Sequence, residues 1–175
     1  MTSDNLEVDF VVYSNSDLAM ALENDAVDAI CLVDPAATVA VNQYGYQILL
    51  DIAVDEPYAD EYCCATFVTG KFAREYPEEA AKFTRAVMKA SAWVDEHPEE
   101  AAQLLIEKEY LSGNAEVFAD ILKSYNCKPS VQGGYEAVVK NVDEFKKIGL
   151  LSEDVDTDEF VKKAFIFLDG VEETY

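Results

Sequence analysis

The amino-acid sequence predicts an α/β chain: a parallel βαβαβ unit, one further strand, and an all-helical C-terminal segment. The first observation is the stretch Asp17 to Pro35, DLAMALENDAVDAICLVDP. Its apolar residues Leu18, Ala21 and Leu22 recur at helical spacing, Asn24 and Asp25 supply a tight turn, and a strand follows that ends at Asp34 and Pro35. The second is the apolar run Val8 to Tyr13 before it, which makes the unit strand, helix, strand and therefore a parallel crossover. The third is a change of character from Lys71 onward, where no run has strand length and period while helical periods recur to the end.

Taken in order, Val8 to Tyr13 is β-branched and aromatic with no polar alternation after Asp9, as in a parallel strand covered on both faces. Ser16 is the expected N-cap of the next helix, with Asp17 in its first turn favoured by the helix dipole. The strand Ala29 to Val33 leads to Pro35, which suits a first helical turn because its missing N–H costs nothing there. Ala36 to Tyr44 is the second helix, Gly45 lies past its end, and Gln47 to Leu50 is a third short strand. A turn-rich link, Asp51 to Asp60, leads into Tyr62 to Thr69, a run of strand formers ending at Gly70.

The longest helix starts at Pro77 and carries Ala80, Phe83, Val87, Ala90 and Val94 as one apolar stripe. The next starts at Pro98 with Ala101, Leu104 and Leu105 facing inward. A third runs from Ala115 to Tyr125 with Asn114 as its cap. A fourth is marked by Tyr135, Val138, Val142 and Phe145 and closed by Gly149 in the left-handed conformation. Asp156 or Thr157 caps a last one carrying Phe160, Ala164, Phe165 and Leu168. The phrases YPEEAAKF and HPEEAAQL look like a repeat, but proline with glutamates in a first turn is an ordinary helix start.

Half of the 175 residues are hydrophobic, enough to build a core, and 35 acidic against 13 basic residues give a formal charge of −22. Such a charge repels phosphate backbones and anionic headgroups, which argues against nucleic acid and membrane partners. Its simplest meaning is a solvated acidic surface. The N-terminal MTSDNLEVDF has no basic region, long apolar run or small-residue cleavage site, so nothing in it reads as an export signal or anchor.

Candidate chemistry is sparse. Cys31, Cys63, Cys64 and Cys127 have no CxxC spacing and read as buried thiols; adjacent Cys63 and Cys64 would point to opposite faces of a strand, which disfavours a shared metal or disulfide. The one histidine, His97, stands before Pro98 at a helix junction with no nucleophile at a telling spacing, so no catalytic set is assigned. Gly133 and Gly134 lack the lysine and spacing of a phosphate loop and read as a loop hinge. Trp93 reads as packed or half-buried beside the apolar stripe. No cofactor and no metal site is implied.

Ligands of open parallel sheets bind outside the carboxyl ends of the strands, which places Ser14, Asn15, Ser16, Asp34 and Pro35 at the expected site. Asp34 has two compatible roles: cap of the following helix, accepting an N–H bond, and acceptor for a ligand.

ALENDAVDAICLVDP at Ala21 to Pro35 resembles the sulfonate, nitrate and taurine type of substrate-binding protein that feeds ABC importers, and its thiamine-pyrimidine-binding relatives. Gly45 with ILLD at Ile48 to Asp51, YCCATFVTGKFAREYPEEAAKFTRAVMKA at Tyr62 to Ala90, HPEEAA at His97 to Ala102 and KKIGLLSEDVD at Lys146 to Asp156 follow in the family's order. At Asp25 the family usually has glycine, so Asn24 or Asp25 must supply a positive φ.

The resemblance implies part of a type 2 periplasmic-binding-protein fold, about its second half, and hence a fragment or truncated product. Residues 1–60 would be the second-lobe βαβαβ portion, 61–72 the inter-lobe crossing strand, and 73–175 helices returning to the first lobe. It implies a non-enzymatic component that captures a small polar solute, with Tyr62 and Thr66 on the crossing strand joining Ser14, Asn15, Ser16, Asp34 and Pro35 as ligand contacts. It also implies an importer permease as partner and a place outside the cytoplasmic membrane. The helices left uncovered would collapse on one another or self-associate. Two other classes stand beside this reading: an enzyme resembling the pyrimidine synthases of the same superfamily, of whose cysteine-rich run Cys63 and Cys64 are an echo, and a helical protein-interaction module.

Overall fold

A computed structural model describes residues 8–59, 61–62 and 64–175. Cys63 and residues 1–7 lie outside the described residues, and the buried-thiol reading is corrected at Cys31 and Cys64, both of which are exposed. The chain divides into two compact units, Met1–Leu49 and Leu50–Tyr175.

The first unit holds two helices, α1 (Asn15–Glu23) and α2 (Ala36–Tyr44), packed against each other through small residues, with Ala21 and Ala40 buried. Ser14, two residues earlier than expected, is the residue before α1, and Ser16 lies inside it. The turn after α1 forms as anticipated: Asp25 takes φ 54° while Ala26 N–H donates to the Ala21 carbonyl at 2.9 Å. Gly45 ends α2 with φ 73°, a left-handed backbone that glycine adopts without a Cβ penalty. The Tyr46 hydroxyl donates back to the Ala19 carbonyl at 2.9 Å and joins the two helices.

The second unit is helical throughout its regular part: α3 (Gly70–Glu75), α4 (Pro77–Glu96), α5 (Pro98–Glu107), α6 (Ala115–Ser124), α7 (Val131–Lys147) and α8 (Thr157–Ala164). The start signals operate as read. Asn114 Oδ1 accepts from Glu116 N–H at 2.8 Å, Asp156 Oδ1 accepts from Glu159 N–H at 2.8 Å, and Pro77 and Pro98 open their helices. The most extensive pairing is α5 against α6, where Ala102, Phe118 and Ala119 are buried under Ile106, Leu111, Ile121 and Leu122.

The α/β class is corrected: among the described residues there is no strand, so neither the parallel βαβαβ unit nor the crossing strand is present. Residues 8–13, 29–33 and 47–50 are irregular backbone, and Phe10 and Val12 are 93% and 95% exposed. A β-branched run becomes a strand only when a second backbone takes up its N–H and C=O groups, and side-chain pattern alone cannot supply that second backbone. In the region expected to cross between lobes, residues 64–69 are irregular and 70–75 are helical. Thr69 Oγ1 caps that helix by accepting from Phe72 N–H at 3.2 Å.

The phase of α4 also differs. Ala80, Ala81 and Met88 are buried, Val87 and Val94 are half-buried, while Phe83 is 46% exposed and Ala90 is exposed. The inner face is therefore rotated by about one position from the largest apolar stripe.

Past α8 the chain lies along the helices. Phe165, Phe167 and Tyr135 form an aromatic trio with ring centroids 5.1 to 5.6 Å apart. The Gly170 carbonyl accepts from Arg85 Nη1 at 3.1 Å, and the Glu173 carboxylate accepts from Gln132 N–H at 3.0 Å and from the Ser130 hydroxyl. Glu173 thus adds negative charge at the start of α7, where the helix dipole favours it.

Candidate functional site

In the first unit the expected ligand residues sit in two local networks. Ser14 Oγ donates to Asp17 Oδ2 at 2.6 Å and lies 2.7 Å from Ser16 Oγ, which itself reaches Asp17 Oδ1 at 3.4 Å. Both hydroxyls gather about a carboxylate, and Ser14 makes no side-chain cap to α1. Asn15 is exposed beside them. This corner offers hydroxyls and a carboxylate to solvent.

Asp34 is half-buried at the start of α2. Its Oδ1 accepts from Thr38 N–H at 2.9 Å and from Thr38 Oγ1 at 2.8 Å, so the capping role read from the sequence is realised. Pro35 follows it with φ −83°, and regular helix begins at Ala36.

In the second unit Tyr62 donates its hydroxyl to the Lys128 carbonyl at 3.2 Å, and Glu61 pairs with Lys140 of α7. Its ring lies against Gly133: a Cβ built there would meet Tyr62 Cε2 at 2.4 Å. The expected loop hinge at Gly133 and Gly134 is corrected, because both lie in the first turn of α7 and Gly133 N–H donates to Ser130 Oγ at 2.8 Å. Sequence reasoning missed this seat; a glycine in a first helical turn was its one local signal. Thr66 is exposed.

Elsewhere, His97 joins α4 to α5 with its ring centroid 5.4 Å from that of Trp93 and its Nδ1 3.7 Å from Glu100. Cys127 is half-buried, and desolvation, then the neighbouring Asp95, push its thiol above the ordinary value. Burial and then a hydrogen bond with Glu23 raise the Tyr46 phenol. Among the described residues no cluster of His, Cys, Asp or Glu has the arrangement to hold a metal ion, and no helix is long and apolar enough to cross a membrane.

Comparison with known proteins adds two findings. Residues 3–107, more than half of the chain, match the model of the NMT1-like family. Over 171 residues the chain is 26% identical to a protein of Bacillus subtilis (strain 168) named "Putative aliphatic sulfonates-binding protein", covering 90% of this chain and 48% of that one. The chain thus spans about half the length of the curated relative it matches. No solved structure matches it.

Proposed function

Because the chain belongs to the NMT1-like family, we propose that it is a solute-binding component of an ABC-type importer, without catalytic activity of its own. The family match over residues 3–107 carries this reading. The similarity to a protein whose name refers to aliphatic sulfonates supports a small polar solute of the sulfonate, nitrate, taurine or pyrimidine-like class. The partners are that solute and, for the complete importer component, the permease; the place of action is outside the cytoplasmic membrane.

In the first unit the candidate contacts are Ser14, Asn15, Ser16, Asp34 and Pro35; in the second, separately, they are Tyr62 and Thr66. Each of the two networks holds a carboxylate, Asp17 in one and Asp34 in the other, so each favours a solute bearing an ammonium or another hydrogen-bond donor over a bare anion. Exposed Phe10 and Val12 in the first unit, and Phe67 at 90% exposure in the second, support self-association as part of this reading.

The test is a thermal-shift panel on this chain and on whatever product its source cells make, with the intact mass of that product measured first. Taurine or an aminopyrimidine at millimolar concentration should raise Tm, and nitrate and ethanesulfonate should do so less. A panel in which no solute moves Tm in either form defeats the proposal.

A further inference from the structure

The end of α4 and the outer side of α5 border a shallow, open groove of about 440 Å³, lined by Trp93, Glu99, Glu100, Gln103, Leu104 and Glu107. Glu100, Gln103, Leu104 and Glu107 are spaced i, i+3, i+4 and i+7, so they form one stripe of α5. Ala101 and Ala102, at 4% and 0% exposure, carry the opposite, buried face. The stripe therefore points away from the α5–α6 core, with Leu104 left 43% exposed and Trp93 half-buried beside it.

Carboxylates rim these apolar groups. Glu99 is engaged by Lys123 Nζ at 2.9 Å, Glu107 accepts from Gln103 Nε2 at 3.2 Å, and Glu96 and Glu100 approach the two ring nitrogens of His97 at 4.0 and 3.7 Å. Among the described residues the cations recorded beside these acids are Lys123 and, when protonated, His97, so the rim is net negative. A second copy of a chain with formal charge −22 is repelled from such a rim, as is an anionic headgroup. A small organic cation would leave most of its surface wet in an open groove, whereas small-molecule sites bury most of their ligand.

We propose that this groove docks a cationic amphipathic polypeptide segment of a partner protein. One apolar side chain of that segment packs on Trp93 and Leu104, and its Lys or Arg side chains meet Glu100 and Glu107 at the two ends of the stripe. This is the pattern of a helix laid along a groove, where apolar anchors give affinity and flanking charges give register and on-rate. The inference does not depend on which solute the chain binds.

Trp93 is the one tryptophan in the sequence, so its fluorescence reports on the groove directly. The full chain is titrated, at physiological ionic strength, with a short peptide of lysine and leucine at helical spacing and with a lysine-only peptide of equal charge. The amphipathic peptide should give a saturable blue shift and bind about tenfold more tightly than the lysine-only one. Glu100→Gln with Glu107→Gln should weaken it by about five- to tenfold, and Leu104→Ser by a similar factor, while Glu153→Gln with Asp154→Asn changes it less than about twofold. Equal binding of the two peptides, or equal effects of the two acidic pairs, would reduce the groove to general charge attraction and overturn the proposal. So would displacement of the peptide by tetramethylammonium at comparable affinity, or a concentration-dependent shift of Trp93 emission with no peptide present.

Discussion

Gly133 and Tyr62, 71 positions apart in the sequence, are in ring-to-backbone contact: a Cβ at Gly133 would stand 2.4 Å from Tyr62 Cε2 and 2.9 Å from Cζ. The first turn of α7 is thereby a seat for the ring, and the Tyr62 hydroxyl and the Glu61–Lys140 pair fasten the same segment on either side. At Gly134, one residue on, a Cβ would stand 3.7 Å from Phe165 Cε2, which is ordinary room for a methyl group.

The two adjacent glycines should therefore respond to alanine with opposite sign. Gly134→Ala gains helix propensity and should stabilise by about 0.5–1 kcal/mol. Gly133→Ala gains the same propensity but drives a methyl group into the ring, and should destabilise by a net of about 1–2 kcal/mol. Urea midpoints measure both. Adding Tyr62→Ala to Gly133→Ala should remove the clash, so a double variant no better than the sum of its parts would count against the contact.

Apolar side chains should differ in cost according to where the fold leaves them. Phe118, 4% exposed in the α5–α6 core, should cost about 3–5 kcal/mol as Phe118→Ala. Phe10, 93% exposed, should cost within about 0.5 kcal/mol as Phe10→Ser. Denaturant unfolding of the two variants gives the comparison, and a large loss at Phe10 would mean that its run is packed.

The α5–α6 pair carries a pH-dependent link. The hydrogen bond from Lys123 holds the Glu99 carboxyl below its ordinary value, and the same bond holds Lys123 above its own. The Glu99 contribution is present above the ordinary carboxylate pKa and is lost as pH falls through the lowered one. The Lys123 contribution is present below the ordinary lysine pKa and is lost as pH rises through the raised one. Glu99→Gln should lower the urea midpoint slightly at pH 7, and the difference should close as pH falls below about 4. A difference that persists in acid would assign the effect to packing.

Asp34 separates capping from solute contact. Asp34→Ala removes the acceptor for Thr38 and should lower stability by about 1 kcal/mol, whereas Asp34→Asn keeps an acceptor oxygen and should lose little. Both variants should lose solute-induced stabilisation by a donor-bearing solute such as taurine. Retained stabilisation in Asp34→Asn would take the carboxylate out of the site.

Much of the helical layout was legible because its signals are local. Pro77, Pro98, Asn114 and Asp156 start helices where they stand, and Gly45 and Gly149 take φ 73° and 74° at helix ends. Each depends on groups within about four residues, so a short window contains the whole interaction. The cap at Asp34 was readable for the same reason. The short helix α3 was missed because its strand-forming approach, residues 62–69, outweighed the single cap at Thr69.

The sequence by itself determined where most of the helices begin and end, the acidic charge that shapes the choice of partners, and the order of landmarks shared with a family of solute-binding components. Only the tertiary structure decided that Val8 to Tyr13 and Ala29 to Val33 are not strands, that α4 buries Ala81 and Met88 ahead of Phe83, and that Tyr62 rests on Gly133. These outcomes turn on which distant backbone or side chain arrives beside each group. A strand needs a second backbone and a seat needs a ring, and neither partner is written within one helical turn of the residue that receives it.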